Sequence, residues 1–207
     1  EYIKILEIQQ KILGMMASHG NSKDILEHLC HLAESLLPNS VASIMLKDQK
    51  SGLLIVLSAP SVPQAGHEAL ANLSSGPSGG SCSNAVLQNK AQYVSDTYSD
   101  VRWADLRQLA IDFKLRSCWS MPVRNEEQNA IGTFALSSFE QRSPSEFHKK
   151  LLETAASIVN IVLKNRANEQ RIQLFSHSMQ SVSEGVMITD VNNNILEANV
   201  AFAAIYG

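Results

Sequence analysis

Three cysteines carry the most reactive side chains of the chain: Cys30, Cys82 and Cys118. Cys82 follows a glycine- and serine-rich stretch, Gly76-Pro77-Ser78-Gly79-Gly80-Ser81, and opens a short helical pattern over residues 82–88. A thiol there meets unpaired backbone amides and the positive end of a helix dipole, and both favour a thiolate. Cys82 and Cys118 are therefore candidates for thiol redox chemistry. The competing reading is a set of buried, inert thiols, because free cysteine is among the most buried residue types. The number of cysteines is odd and no Cys-x-x-Cys pair occurs. That speaks against structural zinc and for free thiols in a reducing compartment.

His28 and His31 stand three apart, a helical spacing that can hold a metal or present a haem ligand. Leu29 and Leu32 mark the buried face of that helix, and His28 lies about 100° round from Leu29. Solvent-facing or hydrogen-bonded histidines are the simpler expectation, and His67 is isolated. Asp96, Asp100 and Asp105 read as capping or solvent groups. No phosphate-binding glycine loop, supported pair of carboxylates or serine-nucleophile motif occurs.

These groups sit in a chain of ordinary globular composition, 44% hydrophobic and 18% charged. The net charge of −3 leaves no basic surplus for phosphates, so nucleic-acid binding is not expected. The longest apolar run, Leu53-Leu54-Ile55-Val56-Leu57, is far short of the roughly 20 residues that span a bilayer. Glu1-Tyr2-Ile3-Lys4 is no leader, and the chain reads as starting within a longer protein.

The elements that must position the cysteines follow from periodicity. Ile5, Ile8, Ile12 and Met15 form a heptad-like stripe on a helix ending near His19-Gly20. Asn21 or Ser22 caps a second helix with Ile25, Leu29, Leu32, Ala33 and Leu36 on one face, ended by Pro38. Residues 41–47 and 52–58 read as a hairpin, residues 67–73 as a short helix, and residues 91–94 as a brief strand. Over residues 96–114, Trp103, Leu106, Leu109, Ala110 and Phe113 stand at helical spacing. Residues 116–124 and 130–139 form a second hairpin. Ser143-Pro144-Ser145-Glu146 starts a long helix with two neighbouring stripes, Leu151/Ala155/Ile158/Val162 and Leu152/Ala156/Val159/Leu163. Two stripes exceed what one sheet face requires, so part is expected to meet a partner helix. This order implies an α+β fold with a central antiparallel sheet and flanking helices.

Several segments together resemble a known family. Gly80-Ser81-Cys82-Ser83-Asn84-Ala85-Val86, Val94-Ser95-Asp96, Arg102-Trp103, Leu115 to Val123 and Ile131-Gly132-Thr133-Phe134-Ala135-Leu136 are similar, in order and spacing, to the signatures of a GAF domain of bacterial multidomain signalling proteins. Ser117 replaces the usual alanine, and Ser83-Asn84 the usual glycine-threonine. Further on, Ser183 to Asp190, Asn193 to Asn199 and Ala201-Phe202 resemble the opening of a PAS domain, too short here to form a PAS core. The resemblance divides the chain into a linker helix (1–19), a GAF domain (20–166), a second linker helix (167–175) and the start of a PAS domain (176–207).

What the resemblance implies is a sheet of five to six strands with helices on both sides and long terminal helices. It implies a ligand pocket over one sheet face, with Cys82, Trp103, Leu106, Cys118 and Ser120 as lining candidates. The glycine-rich loop would be a mobile lid. The module would be cytoplasmic, non-catalytic in itself and sensory. It would relay a signal through its terminal helices, as a homodimer, to a cyclic-di-GMP or histidine-kinase output beyond Gly207. No cofactor is expected; a bilin needs a cysteine-histidine pair, and Cys30-His31 lies on the wrong helix. The alternative is a thiol redox sensor or an enzyme like the free methionine sulfoxide reductases, also GAF domains, using Cys82 and Cys118. Those enzymes carry further cysteines in the stretch matching residues 96–115, where this chain has none.

Overall fold

Along the strands over residues 117–124 and 130–138, bulky and small side chains alternate, and that alternation sorts the helices into two layers. The structure, a computed structural model, describes residues 2–18, 20–70 and 76–206. It divides into two units, residues 1–163 and 164–207.

In the first unit, strands β1 (Ser40–Lys47), β2 (Leu54–Ser58), β3 (Gln92–Val94), β4 (Ser117–Arg124) and β5 (Ala130–Ser138) form one sheet in the order β2-β1-β5-β4-β3. Every neighbouring pair is antiparallel. Both hairpins have turn chemistry written in their residues. Asp48 Oδ2 accepts from Ser51 N at 2.7 Å, and Gly52 takes φ +73°, where glycine is favoured. In the second turn Asn125 Oδ1 accepts from Asn129 N at 2.8 Å.

One sheet face carries Ala42, Ile44, Trp119, Met121, Val123, Phe134 and Leu136. It is buried against α1 (Tyr2–Ala17), α2 (Ser22–Leu36) and the first half of α6 (Glu146–Ser181). Asn21 caps α2, its side chain accepting from Lys23 N at 2.9 Å. The stripe Ile5, Ile8 and Ile12 of α1 is consumed inside its own chain, in the same core as α2 and Phe147. Both stripes of α6 are buried there too, from Leu151 and Leu152 to Val159 and Val162. The width expected to meet a partner helix is thus taken up within this unit, by a sheet face shared among three helices.

The opposite face carries small side chains, among them Ser43, Ser120, Ala135 and Ser137. It is covered by α3 (Gln64–Leu70), α4 (Gly80–Gln88), a 3-10 turn (Val101–Trp103) and α5 (Arg107–Asp112). The single helix expected over residues 96–114 is broken in two. Asp96 and Asp100 turn their carboxylates back onto Tyr98 N (3.2 Å) and Arg102 N (2.9 Å). These local bonds compete with helix and leave only a 3-10 turn and a short α5. The helix expected over 67–73 is seen as α3, starting at Gln64; residues 71–73, residues 74–75 of the glycine-serine loop, and His19 lie outside the described residues.

α6 runs unbroken to Ser181, about 54 Å at 1.5 Å per residue. In the second unit a two-stranded ladder, β6 (Met187–Thr189) with β7 (Ile195–Ala198), precedes α7 (Val200–Tyr206). Its turn is closed by Asp190 Oδ1, which accepts from Asn192 N and Asn194 N. Asn199, 1% exposed, ties this unit together. Its amide donates to Met179, Val182 and Glu184 carbonyls, and its oxygen accepts from Val186 N and Phe202 N.

Gly132, in β5, has no room for a side chain: an added Cβ would lie 2.3 Å from the Met45 carbonyl oxygen of β1. Gly132→Ala is expected to destabilise the domain by about 1–3 kcal/mol through overpacking against rigid backbone. Urea denaturation at constant m-value measures this.

Candidate functional site

Small residues on one sheet face leave space beneath their covering helices, and the space is a cavity of about 180 Å³. Val41, Ser43 and Met45 of β1, Cys118 of β4 and Ser137 of β5 form its floor. The first turn of α4, Gly80-Ser81-Cys82, forms one wall. Trp103, Leu106, Leu109 and Phe113 form the roof, and Val62, Pro63, Gly66 and Leu70 close the side. Gly80 has φ +82°, and a Cβ on it would sit 3.0 Å from Leu106. A side chain there would be strained in its backbone and pressed against the roof.

The aromatic roof is pinned by a buried chain of hydrogen bonds. Trp103 Nε1 donates to Ser81 Oγ at 2.9 Å, and Ser81 Oγ donates to the Cys118 carbonyl at 3.1 Å. One serine thus joins the 3-10 turn to α4 and β4. The neighbouring Arg102 holds the same turn from outside. It pairs with Asp100 (2.6 Å) and donates to Gln92 Oε1 (3.0 Å) and the Tyr93 carbonyl (3.4 Å) on edge strand β3. The Arg102 hydrogen bond holds the Asp100 carboxyl below its ordinary value, against the opposing effect of burial.

Two thiols face each other between α4 and β4. Cys82 Sγ and Cys118 Sγ both touch Ser120 Oγ, at 3.2 and 3.7 Å. Ser137 Oγ donates to Cys118 Sγ at 3.4 Å. The neighbouring Cys118 thiol, and then burial, push the Cys82 thiol up. The Cys118 thiol is pulled down, first by Cys82 and then by serine hydroxyls, although burial alone would raise it. Cys30 differs: it lies in the α1/α2/α6 core beside Ser58, and burial pushes it up to about 12.

A model of the GAF domain family matches residues 20–164. The chain belongs to the GAF domain family. A curated relative of this GAF domain, the methyl sulfide methyltransferase-associated sensor of Methanosarcina acetivorans, is 21% identical over 201 residues. The match covers 91% of this chain and 20% of that protein, so the chain spans about a fifth of the relative's length. Among solved structures, the GAF domain of a phosphoenolpyruvate-protein phosphotransferase from Coxiella burnetii superposes with a TM-score of 0.67 at 14% identity, covering 81% of this chain and 98% of that one. A type II free methionine-R-sulfoxide reductase from Thermoplasma acidophilum superposes at 0.56 and 19% identity, covering 70% and 96%. At these identities the likeness shows the fold alone.

Within this GAF domain Cys82, Trp103, Leu106 and Cys118 line one cavity. Ser120 does not line it; its hydroxyl lies fully buried against both thiols. Trp103 and Leu106 come from the 3-10 turn and the residue before α5, not from one covering helix. Ser81 and Ser137 are lining residues that sequence reasoning did not single out, and strand alternation from Cys118 across to β5 was the signal for Ser137. His31 Nδ1 contacts Glu34 at 3.2 Å. His28, expected to be solvent-facing or hydrogen-bonded, instead has Nε2 buried without a hydrogen-bond partner, and burial lowers its pKa. Among the described residues no group of three or more His, Cys, Asp or Glu is placed to hold a metal ion. No helix among them is long and apolar enough to cross a membrane.

A carboxyl held low in the folded state adds stability above its unfolded pKa, and that stability is lost as pH falls through the folded value. Asp100→Asn is therefore expected to lower the melting temperature at pH 7. The deficit should shrink toward zero as pH falls below about 4, the ordinary carboxylate value. Thermal melts of both proteins from pH 7 to pH 2 check the sign.

Proposed function

We propose that this GAF domain is a non-catalytic sensory module that takes up a small, mainly apolar ligand in the cavity over Cys118. The ligand shifts the sheet and so the long α6 helix. One observation carries the reading: an apolar space of about 180 Å³ under a roof held to its floor through Trp103, Ser81 and Cys118. An apolar cavity of about 150 Å³ suffices to bind benzene. Sites for drug-sized molecules run to about 300–1,000 Å³. A one- or two-ring molecule such as phenol or indole suits this cavity, its polar edge facing Ser43, Ser137 or the thiols.

Several features support a relay to further domains. α6 is continuous from the sheet-covering core to Ser181. Beyond it, the ladder β6–β7 followed by α7 fits the start of a PAS domain over residues 176–207. The curated relative is a sensor of which this chain spans 20%, which leaves room for an output such as cyclic-di-GMP turnover or histidine phosphorylation. A cytoplasmic setting suits free thiols. We place the homodimer contact on the face that α1 leaves exposed, Tyr2, Leu6 and Leu13, and not on the buried stripes.

Thermal shift of the purified chain with phenol, indole and benzyl alcohol tests the ligand reading. A ligand at a hundredfold its Kd adds about 2.7 kcal/mol, or about 5–10 °C for a domain of this size. Ser43→Leu, which fills the floor, should keep the fold and lose the shift. Absence of any shift, or a shift that survives in Ser43→Leu, overturns the cavity as the ligand site. For the dimer, light scattering on a size-exclusion column should give twice the chain mass for the wild type and the monomer mass for Leu6→Glu/Leu13→Glu.

A further inference from the structure

We propose that Cys82 and Cys118 form a dithiol that a small organic hydroperoxide, admitted through the cavity, oxidises to a disulfide. Three observations place the chemistry here. Both thiols line the cavity and share the Ser120 hydroxyl, which lies 3.2 Å from Cys82 sulfur and 3.7 Å from Cys118 sulfur. Their elements are tethered one residue away, where Ser81 Oγ donates to the Cys118 carbonyl at 3.1 Å. Cys118 sulfur also has the Ser137 and Ser120 hydroxyls at 3.4 and 3.7 Å, donors of the kind that hold a thiolate.

The reaction balances without a cofactor. Cys118 releases its proton to solvent, and its thiolate attacks the terminal peroxide oxygen. The O–O bond breaks, and the departing alkoxide takes the Cys82 thiol proton to leave as an alcohol. Cys118 is now a sulfenic acid, the first rung of thiol oxidation and one that condenses with a thiol. Cys82 thiolate attacks the Cys118 sulfur, and the displaced hydroxide takes up a proton to form water. Two thiols lose two electrons, which reduce one peroxide to alcohol and water.

Access selects the oxidant. Cys118 is only 2% exposed, so a reagent reaches it from within the cavity. That cavity is lined mostly by carbon, which favours an organic peroxide over hydrogen peroxide. Cys30, buried elsewhere and held protonated at neutral pH, is an internal control. The inference shares the cavity with the sensory reading and does not depend on it; oxidation is read by mass, reversible binding by melting.

The test exposes the folded chain to tert-butyl hydroperoxide and, separately, to hydrogen peroxide at the same concentration. It then counts free thiols and maps peptides without reduction. All three cysteines start free. Two should be lost, the map should show a Cys82–Cys118 link with Cys30 still free, and the organic peroxide should act faster. Cys82→Ser should stop at a sulfenic acid on Cys118 that dimedone captures, and Cys118→Ser should not be labelled. Three thiols still free in the folded wild type, a link through Cys30, or faster reaction with hydrogen peroxide overturns the proposal. The wild-type experiment decides the matter even where a serine variant fails to fold.

Discussion

The sheet of this GAF domain holds bulk on one side and space on the other, and everything else follows from that imbalance. Strands point successive side chains to opposite faces. Here β1, β4 and β5 place Ile44, Trp119, Phe134 and Leu136 on one face and Ser43, Ser120, Ala135 and Ser137 on the other. The bulky face binds three helices in a continuous apolar core. The small face admits the first turn of α4, itself built of Gly80, Ser81, Cys82 and Ser83, at close range. Where α4 ends its cover, large side chains from the roof span the remaining distance, and a cavity is left between serines and aromatic rings.

Burying so many small polar groups is unfavourable unless each finds a partner. Ser81, Ser120 and Ser137 find partners in one another's elements and in the thiols, whereas the buried Thr133 hydroxyl has no hydrogen-bond partner among the described residues. Ser81 serves both Trp103 and the Cys118 carbonyl, while Ser120 and Ser137 serve sulfur. The same bonds therefore fix the roof and tune the cysteines. Asp100 and Arg102 add a second hold from the solvent side, anchoring the 3-10 turn to β3.

Much of this is legible in the residues. Both hairpins, α2 and the buried stripes of α6 follow from period and turn chemistry, and alternation places Cys118 and Ser120 on the face opposite Trp119. Three things are not legible, each for a physical reason. Helical spacing of Trp103, Leu106, Leu109 and Phe113 suggests one covering helix, but spacing is blind to Asp96 and Asp100 turning back on the backbone. Alternation assigns Ser120 a face but not a depth, and α4 lies between it and the cavity. The stripe Ile5, Ile8, Ile12 announces a buried face, yet periodicity is silent on what covers it: a second copy and the chain's own α2 satisfy it equally.

The proposed relay has a short physical path. Cys118 and Trp119 are neighbours on β4, one facing the cavity floor and the other the helical core. Trp119 Nε1 donates to the Arg142 carbonyl at 3.2 Å, and its ring lies 5.3 Å from that of His148 in the first turn of α6. A ligand that displaces the floor, or a bond that draws Cys118 toward Cys82, pulls on the same strand residue that abuts the start of α6. Cores as closely filled as this one transmit displacement instead of absorbing it. The coupling then depends on whether occupancy and oxidation favour the same α6 position, since a ligand shifts an equilibrium only by its differential affinity for the two states.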